Sequence, residues 1–318
     1  MADTIEGYLG ELRGALAGAD PAVVQDALYD AEEYLRSSVA EGGGTQEAIA
    51  SAIDAYGSPV EIAGAYLETE RTVVAALRRP APPRPRSAIG RFFGVIADPA
   101  AWGALFYMLL ALVTGTVYFT VVVTGLSLSL GLMILIVGIP VALLFIGTVR
   151  AISLAEGRLV EGLLGVRMPR RPRLVGSSGN LMDRIGSWLG DYRTWTTMLY
   201  MILQLPLGVA YFTIVVTGLA VSLAAIAAPF VQVIFDTPIA WSMDYGYYIE
   251  PWAMPIVVAI GIIGVFVVLW LAKGVGYLHG MFAKVMLVGR FEGVAAAPTP
   301  VPPVVVAGTL GDPSAGTR

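Results

Sequence analysis

Residues 102–149 read WGALFYMLLALVTGTVYFTVVVTGLSLSLGLMILIVGIPVALLFIGTV, a run of 48 residues without a charged side chain. A transmembrane helix needs about 20 apolar residues to cross about 30 Å of hydrocarbon. The run is therefore long enough for two spans, and we expect a tight turn near Gly125–Gly131 to join them. A second stretch, 194–272, has no Lys or Arg and predicts a third span near 195–227 and a fourth near 252–271.

The charges divide the chain into two unlike regions. Apolar residues make up 56% and charged residues 14% of the sequence, against roughly 25% charged in a typical soluble protein. Residues 1–70 carry 14 acids and two bases, a net charge of −12, whereas the remainder carries 10 acids and 18 bases. No cysteine is present, which excludes disulfides and thiolate metal sites. The N-terminus lacks the basic and apolar regions of a signal peptide.

The basic residues predict the orientation of the spans. They fall in three groups: Arg78, Arg79, Arg84, Arg86 and Arg91; then Arg150, Arg158, Arg167, Arg170, Arg171, Arg173, Arg184 and Arg193; then Lys273, Lys284 and Arg290. Both predicted outer loops contain no Lys or Arg. Because Lys and Arg are enriched in the cytoplasmic loops of membrane proteins, we expect a multi-pass protein of the bacterial cytoplasmic (inner) membrane with both termini in the cytoplasm.

The membrane region contains an internal repeat. Ten positions recur 93 residues later: Arg91, Asp98, Trp102, Tyr107, Tyr118, Phe119, Thr120, Thr124, Gly125 and Leu126. Farther on, Arg150 and Gly157 match Lys273 and Gly280 at an offset of 123, so the second copy has about 30 more residues, on its outer side. The expected fold is an all-α membrane protein with four transmembrane helices in two parallel two-helix repeats, 89–165 and 182–289. We expect an axis along the membrane normal to relate them.

Each copy begins with an amphipathic stretch at the inner surface, 89–96 and 182–189, which is typical of an interfacial helix. The recurring residues predict packing within the repeat at Tyr118, Thr124, Gly125, Tyr211, Thr217 and Gly218. Thr116, Thr120 and Thr124 share one helix face. Such threonines can line a ligand pocket, but bonding back to their own helix is the favoured interpretation.

The chain ahead of the spans predicts an acidic cytoplasmic four-helix domain, 1–78, as an N-terminal bundle. Asp20-Pro21 is an N-cap with proline at the first helical position. Thr45 caps a third helix, and Gly57-Ser58-Pro59 separates the third helix from the fourth. A Pro/Arg linker, 79–88, leads to a four-span sensor-like membrane domain, 89–292. We expect the tail, 293–318, to be disordered.

Two surface segments are candidate sites. The outer insertion holds seven acidic and aromatic residues: Asp236, Trp241, Asp244, Tyr245, Tyr247, Tyr248 and Glu250. They form a candidate sensory loop for a cation or cationic peptide, although an aromatic belt at the headgroup level explains them as well. A basic loop of Arg167, Arg170, Arg171 and Arg173 is a candidate docking surface for the acidic bundle.

Two resemblances to known families follow from these segments. YLGELRGAL, PAVVQDALYDAEEYL and AIDAYGSPVEIAGAYL make residues 4–70 resemble the cytoplasmic helical signalling (HAAS-type) domain of bacterial membrane proteins that accompany PadR-type repressors. YFTVVVTGLSLSLGLMILIVGIP, the segment from Arg150 to Gly165 and the duplicated Asp98/Asp191 and Trp102/Trp195 make residues 95–290 resemble the sensor domain of actinobacterial-type membrane proteins. The resemblance implies signalling, and neither family brings catalytic residues to transfer.

The functional expectation is a non-enzymatic membrane signalling protein that couples an envelope or membrane signal to a cytosolic regulator. His279 is the only histidine. A histidine kinase needs an acceptor histidine followed by a separate ATP-binding domain, and we expect no such domain after His279. We interpret His279 as an ordinary interfacial side chain rather than a pH switch. No charged residue is expected in mid-span, which argues against a proton-driven carrier.

The alternative function is a membrane subunit or accessory of an ABC-type export system. No catalytic or metal-binding residues and no cofactor are expected. The expected partners are the lipid bilayer and a PadR-type regulator or kinase that binds residues 1–78, with no direct contact to nucleic acid. A second copy of the chain, in a homo-oligomer, is a further candidate partner.

Overall fold

The computed structural model describes residues 4–77, 87–134, 138–171, 190–242 and 245–288. Several predicted features lie outside these ranges: the tail 293–318, the second amphipathic stretch 182–189, most of the linker 79–88, Arg173 and Asp244. The described part is almost entirely helical, and four of its helices are long and apolar enough to cross a membrane. The predicted fold class, an all-α membrane protein with an N-terminal helical region, is confirmed.

Four helices precede the spans: α1 (Ile5–Ala15), α2 (Pro21–Glu41), α3 (Gln46–Tyr56) and α4 (Pro59–Leu77). Local capping explains their bounds. The Asp20 carboxylate accepts from the N–H of Ala22, and the Thr45 hydroxyl accepts from the N–H of Ala48. Gly57 has a φ of 104°, a conformation that favours glycine, and it ends α3.

The core of this N-terminal bundle is mainly apolar and includes a buried tyrosine. Leu12, Leu16 and Leu35 are almost fully buried between the helices. Tyr8 is also buried, and its hydroxyl donates to the carbonyl of Gly57 at 2.8 Å. That bond connects the first helix to the turn between α3 and α4. Burial raises the pKa of the Tyr8 hydroxyl to about 12, so the contact persists at physiological pH.

The membrane region begins with a short helix, α5 (Ala88–Phe93), and a 3-10 turn (Gly94–Ala97). The four long helices follow: α6 (Pro99–Leu132), α7 (Gly138–Leu159), α8 (Tyr192–Phe235) and α9 (Met254–Ala283). A π-helical turn extends α7 over Val160–Leu164, and another extends α9 over Lys284–Val288. Asp98 and Asp191, which recur in the repeat, both cap the helix that follows them.

The turn predicted at Gly125–Gly131 is wrong, because α6 continues through it to Leu132. The backbone of a lipid-embedded segment must keep its hydrogen bonds, so a glycine there does not end a helix. Gly125 instead gives space to the ring of Phe145 on α7, which a Cβ at this position would overlap. Gly218 on α8 makes the corresponding contact with Val268 on α9, with a Cβ only 2.7 Å from Cγ2.

The helices α6 and α8 cross at a pair of glycines. A Cβ on Gly115 would lie 2.6 Å from the carbonyl oxygen of Gln204, and a Cβ on Gly208 would overlap the carbonyl of Ala111. Gly115 and Gly208 are counterparts at the 93-residue offset, and so are Ala111 and Gln204. The glycine of each copy therefore meets the same position of the other copy. Such reciprocity is typical of a twofold relation, and small residues permit backbones to approach this closely in membranes.

Thr124 and Thr217 do not contribute to the packing expected of them, since both are exposed. Tyr118, Val122 and Gly125 share the packed face of α6 at helical spacing, and Thr124 falls outside it. The hydroxyls of Thr116, Thr120 and Thr213 each donate to the carbonyl four residues earlier. These bonds agree with the interpretation favoured above, in which the threonines bond to their own helix.

The outer insertion begins on a long helix. α8 has 44 residues, a length of about 66 Å at about 1.5 Å per residue, so it exceeds the bilayer core of about 30 Å. After it, β1 (Ala240–Ser242) and β2 (Tyr245–Tyr247) pair as an antiparallel hairpin. The Gln232 side chain accepts from the N–H of Ile249 and donates to its carbonyl. The segment after the hairpin is thereby fixed to α8.

Candidate functional site

A glutamate lies fully buried between the spans. Glu156, on α7, has no solvent exposure. Its Oε1 accepts hydrogen bonds from the hydroxyls of Tyr107 (2.6 Å) and Tyr200 (2.7 Å), and its Oε2 accepts from Tyr118 at 2.8 Å. A buried carboxylate is costly unless donors surround it. Three hydroxyl donors therefore make this a built polar site.

His279, on α9, completes the site. It is 2% exposed, so its interpretation as an interfacial side chain is wrong. Its Nε2 lies 2.7 Å from the hydroxyl of Tyr107 and 3.0 Å from that of Tyr200, and its Nδ1 lies 3.2 Å from Tyr211. The helix α9 continues to Ala283, well beyond the predicted end of span four. His279 therefore lies on this helix, where it packs between the spans.

Gln204, on α8, is the remaining polar member. It is fully buried, and its Nε2 donates to the hydroxyl of Tyr107 at 3.1 Å. Its Oε1 has no hydrogen-bond partner among the described residues. We call Glu156, His279, Tyr107, Tyr118, Tyr200, Tyr211 and Gln204 the buried cluster.

The buried cluster combines equivalent positions of the two copies. Tyr107 and Tyr200, 93 residues apart, each contact both Glu156 and His279. Tyr118 binds Glu156 and its counterpart Tyr211 binds His279. Glu156 and His279 are themselves counterparts at the 123-residue offset, one residue before Gly157 and Gly280. An acid from one copy thus faces a base from the other.

Sequence reasoning missed this site, although a signal was present. Glu156 lies between Arg150 and Arg158, and the distribution of basic residues predicts a cytoplasmic position for this segment. Extending the match between Gly157 and Gly280 by one residue aligns Glu156 with the only histidine. A pair of titratable residues at one repeated position, each on the helix that follows a helix with two repeated tyrosines, is the pattern that would have revealed it.

The acidic bundle lies against the basic loop. The Arg167 guanidinium is 18% exposed and binds Glu70 at 2.8 Å and Asp26 at 3.2 Å. The backbone N–H groups of Arg170 and Arg171 both donate to Asp26 Oδ1, at 2.7 and 2.8 Å. These contacts join α2 and α4 to the segment that follows α7.

Two further contacts extend this interface. Arg171 pairs with Asp30 at 2.8 Å, and Lys284, in the turn after α9, binds Asp20 at 2.5 Å. The Arg170 side chain, in contrast, pairs with Glu161 of its own segment at 3.4 Å. Of the four predicted docking arginines, the structure brings Arg167 and Arg171 to bundle acids through their side chains and Arg170 through its backbone; Arg173 lies outside the described residues.

The electrostatics of the interface reflect burial as well as pairing. Burial lowers the pKa of Arg167, but the bonds to Glu70 and the nearby Glu161 and Asp26 outweigh it and raise the pKa overall. Arg167 therefore stays charged. Burial raises the pKa of Asp26, against the two backbone N–H groups and Arg167, which lower it. The bundle thus contributes partly desolvated carboxylates to the contact.

One continuous segment connects the buried cluster to this interface. Glu156 and Gly157 lie in the last turn of α7, and the chain then passes through the π-helical turn and Gly165 to Arg167 and Met168. Met168 is fully buried, and a Cβ on Gly157 would lie 3.5 Å from the Met168 Cβ. A movement of the last turn of α7 would therefore reach Arg167 directly.

The candidate sensory loop is only partly described. Asp236 ends α8 in a left-handed conformation, φ 51°, and its carbonyl accepts from Tyr248 at 3.5 Å. Tyr247, Tyr248 and Glu250 are exposed. Trp241 and Tyr245 lie on the two strands, and Asp244 lies outside the described residues. No contact among the described residues brings its carboxylates together.

Comparisons with known proteins agree with this architecture. The family described as "Putative sensor" matches residues 107–287, and the family described as HAAS matches residues 7–65. Neither curated proteins nor solved structures give a match. Both families indicate signalling by a multi-pass membrane protein and point to non-enzymatic roles. Because the first match spans more than half of the chain and covers every residue of the buried cluster, this chain belongs to the sensor family and carries a HAAS region at its N-terminus.

Proposed function

We propose that this sensor couples a change in its spans to the release of its acidic bundle, which then binds a cytosolic regulator. The observation that carries the proposal is the contact of Asp26 and Glu70 with the Arg167 segment. That segment directly follows the helix that bears Glu156. The bundle surface that a partner would use is occupied while the bundle is docked.

The energy scale of this interface suits a switch. Hydrogen bonds to charged groups contribute about 1.5–3 kcal/mol each when they are partly shielded, and exposed ion pairs about 0–1 kcal/mol. A few such contacts hold a docked state that a modest change can reverse, because a switch needs two states within a few kcal/mol. The two bonds to Asp26 Oδ1 need the loop backbone in one geometry, so a small displacement breaks both.

The proposed topology is required by the same contact. Docking needs the bundle and the arginine segment on one side of the membrane, and the positive-inside rule assigns that side to the cytoplasm. The proposed location is the bacterial inner membrane with both termini inside. The proposed partner is a cytosolic regulator of PadR type, because the HAAS region is associated with such regulators. Its docking surface for the acidic bundle would be basic.

Crosslinking between the bundle and the loop tests docking. The chain has no cysteine, so Gln25→Cys with Arg170→Cys creates a unique pair; Gln25 already donates to the Arg171 carbonyl at 2.8 Å. We expect efficient crosslinking with a short bismaleimide at low salt. Arg167→Gln and high salt should each reduce it several-fold, since screening and loss of the guanidinium remove the same attraction.

Matched controls make the result specific. Arg158→Gln removes a half-exposed arginine of the same region that contacts Glu161 at 3.8 Å and the Arg170 carbonyl at 3.4 Å but no acid of the bundle, and it should reduce the yield far less than Arg167→Gln. Glu47→Cys with Arg170→Cys places the first cysteine on the exposed start of α3 and should crosslink poorly. A yield indifferent to both Arg167→Gln and salt would contradict docking. Co-purification of an ATPase subunit in place of a regulator would favour the export alternative.

A further inference from the structure

We infer that the buried cluster is a proton-binding site, in which His279 takes up one proton opposite the Glu156 carboxylate. The signalling role of this site rests on the proposed function, and the stimulus would then be a proton. The site itself rests on the two sets of distances that join one carboxylate, one imidazole and four hydroxyls. Nothing in the docking interface is needed to establish it.

The hydrogens of the neutral state can be assigned without conflict. Tyr107, Tyr118 and Tyr200 each have one hydroxyl hydrogen, and all three donate to the Glu156 carboxylate. The hydroxyl oxygens of Tyr107 and Tyr200 are then acceptors toward His279, so Nε2 must carry the hydrogen of the imidazole. Nδ1 is left as an acceptor, and the Tyr211 hydroxyl donates to it. The hydrogen on Nε2 is shared between Tyr107 and Tyr200, the 3.4 Å contact between these two hydroxyls has no hydrogen, and one negative charge is enclosed.

The protonated state keeps the same contacts. A proton from water binds Nδ1, which becomes a donor to the Tyr211 oxygen across the same 3.2 Å. Only the Tyr211 hydrogen must rotate away, and Tyr211 is partly exposed, so its hydrogen has space to turn. The enclosed charge falls from minus one to zero, since imidazolium and carboxylate then face each other through Tyr107 and Tyr200. Burial disfavours a charged imidazole, whereas the opposite charge of the nearby Glu156 carboxylate favours it.

Glu156 is the less suitable place for the proton. Its Oε1 already accepts two hydrogen bonds and its Oε2 accepts one. A proton on Oε1 would displace the hydrogen of Tyr107 or Tyr200, whereas a proton on the second lone pair of Oε2 would be a buried donor without an acceptor among the described residues. A buried donor left without a partner costs about 1–3 kcal/mol. The geometry therefore directs the proton to His279.

The other charged groups on the surrounding elements are engaged elsewhere. In the turn after α7, Glu161 pairs with Arg158, Arg167 and Arg170. On α9 and the turn after it, Lys273 pairs with Asp98 and Lys284 with Asp20. Arg150 and Arg193, on α7 and α8, line a separate cleft together with Asp191. Tyr192 and Tyr277 are mostly exposed. Within the described residues, Glu156 is thus the acid that faces His279.

The single histidine permits a direct test in the full chain. We would label histidine with ¹⁵N and ¹³C, purify the protein through a tag without histidine, and record its nitrogen shifts in lipid nanodiscs from about pH 8 to about pH 5, around the ordinary titration range of histidine. The expected result is the Nε2–H tautomer at high pH and a single transition to imidazolium. Glu156→Gln should move the midpoint at least one pH unit lower, a tenfold weaker proton binding.

Glu161→Gln is the matched control, because it removes a carboxylate from the same segment but outside the buried cluster, and it should leave the midpoint unchanged. An Nδ1–H tautomer at high pH, a histidine that stays neutral throughout, or equal midpoints in wild type and Glu156→Gln would each overturn the inference. The wild-type tautomer decides even if Glu156→Gln does not fold. Titration of His279 without any change in bundle crosslinking would support the proton site and contradict only its coupling to docking.

Discussion

Glu156 and His279 occupy the same position of the two membrane repeats, and both bind the hydroxyls of Tyr107 and Tyr200. Two carboxylates at these positions would repel each other in a buried site, and one would have to stay protonated. An acid paired with a base avoids that conflict. The duplicated scaffold therefore needs two different residues at its centre, whereas the tyrosines around them can stay identical.

Loss of one tyrosine hydroxyl should weaken the folded state measurably. Tyr118→Phe removes one of the three bonds to Glu156 and leaves Oε2 without its donor at 2.8 Å. Bonds to charged groups contribute about 1.5–3 kcal/mol, so we expect a loss of this size in the free energy of unfolding, measured by denaturation in detergent. Tyr277→Phe, on α9 and 64% exposed, should have no effect. Equal effects of the two changes would contradict the buried cluster.

The sequence predicts the four spans because a run of apolar residues is a strong signal on its own. It does not predict the buried cluster, because Glu156 lies only six residues after Arg150, and the positive charges around it predict a cytoplasmic position. Long helices carry polar residues back into the interior when neighbouring helices supply partners. Whether such partners are present depends on the tertiary structure, because Tyr107 and Tyr200 are far from Glu156 in the chain.

The crossing of α6 and α8 should tolerate no side chain at its glycines. Gly115→Ala and Gly208→Ala each place a methyl group against the backbone of the other helix. Overpacking of this kind costs about 1–3 kcal/mol, and we expect similar losses at the two positions, since they are counterparts. Gly147→Ala, on α7 with nothing within 4 Å of the added Cβ, is the control. Melting temperatures in one detergent compare the three, and a tolerated Gly115→Ala would contradict the close crossing.

The predicted caps of the N-terminal bundle are confirmed, because capping is a local property. Asp20, Thr45 and the Gly57-Ser58-Pro59 break all act within three residues of their partners. The turn at Gly125–Gly131 fails for the opposite reason. Whether a membrane glycine ends a helix or accommodates a neighbour depends on Phe145, which only the folded structure places there.

The start of α4 should respond to pH through Glu61. Its carboxylate accepts from the hydroxyl and the N–H of Ser58, and these bonds lower the pKa of Glu61 below its usual range. The folded pKa lies below the unfolded one, so the stabilisation is present above the unfolded pKa and is lost as the pH falls through the folded pKa. Carboxyl ¹³C shifts should show this low pKa, and Ser58→Ala should return it toward the ordinary value. An unchanged titration in Ser58→Ala would refute the capping interaction.

The proposed topology predicts which cysteines are accessible from outside the cell. Ile134→Cys, two residues after the end of α6 and 92% exposed, and Tyr248→Cys, 52% exposed after the hairpin, should react with an impermeant thiol reagent in intact cells. Glu47→Cys, on exposed α3 of the bundle, should react only after lysis. Labelling of Glu47→Cys in intact cells would place the bundle outside and exclude docking to a cytoplasmic regulator.

The link between the spans and the docking loop should depend on Met168, a residue without charge. Met168 is fully buried against Gly157, next to Arg167. Met168→Ala removes the side chain that fixes the loop to the last turn of α7, at a cost typical of core truncations, about 2–5 kcal/mol. Arg167 and the backbone N–H groups that bind Asp26 would then lose their fixed position, so we expect the Gln25–Arg170 cysteine crosslink to fall although every charge is retained. Met133→Ala, 52% exposed at the C-terminal end of α6, is the size-matched control and should leave the crosslink intact. If Met168→Ala and Met133→Ala crosslink equally well, docking depends on charge attraction alone, and a change in the buried cluster has no mechanical route to the bundle through this segment.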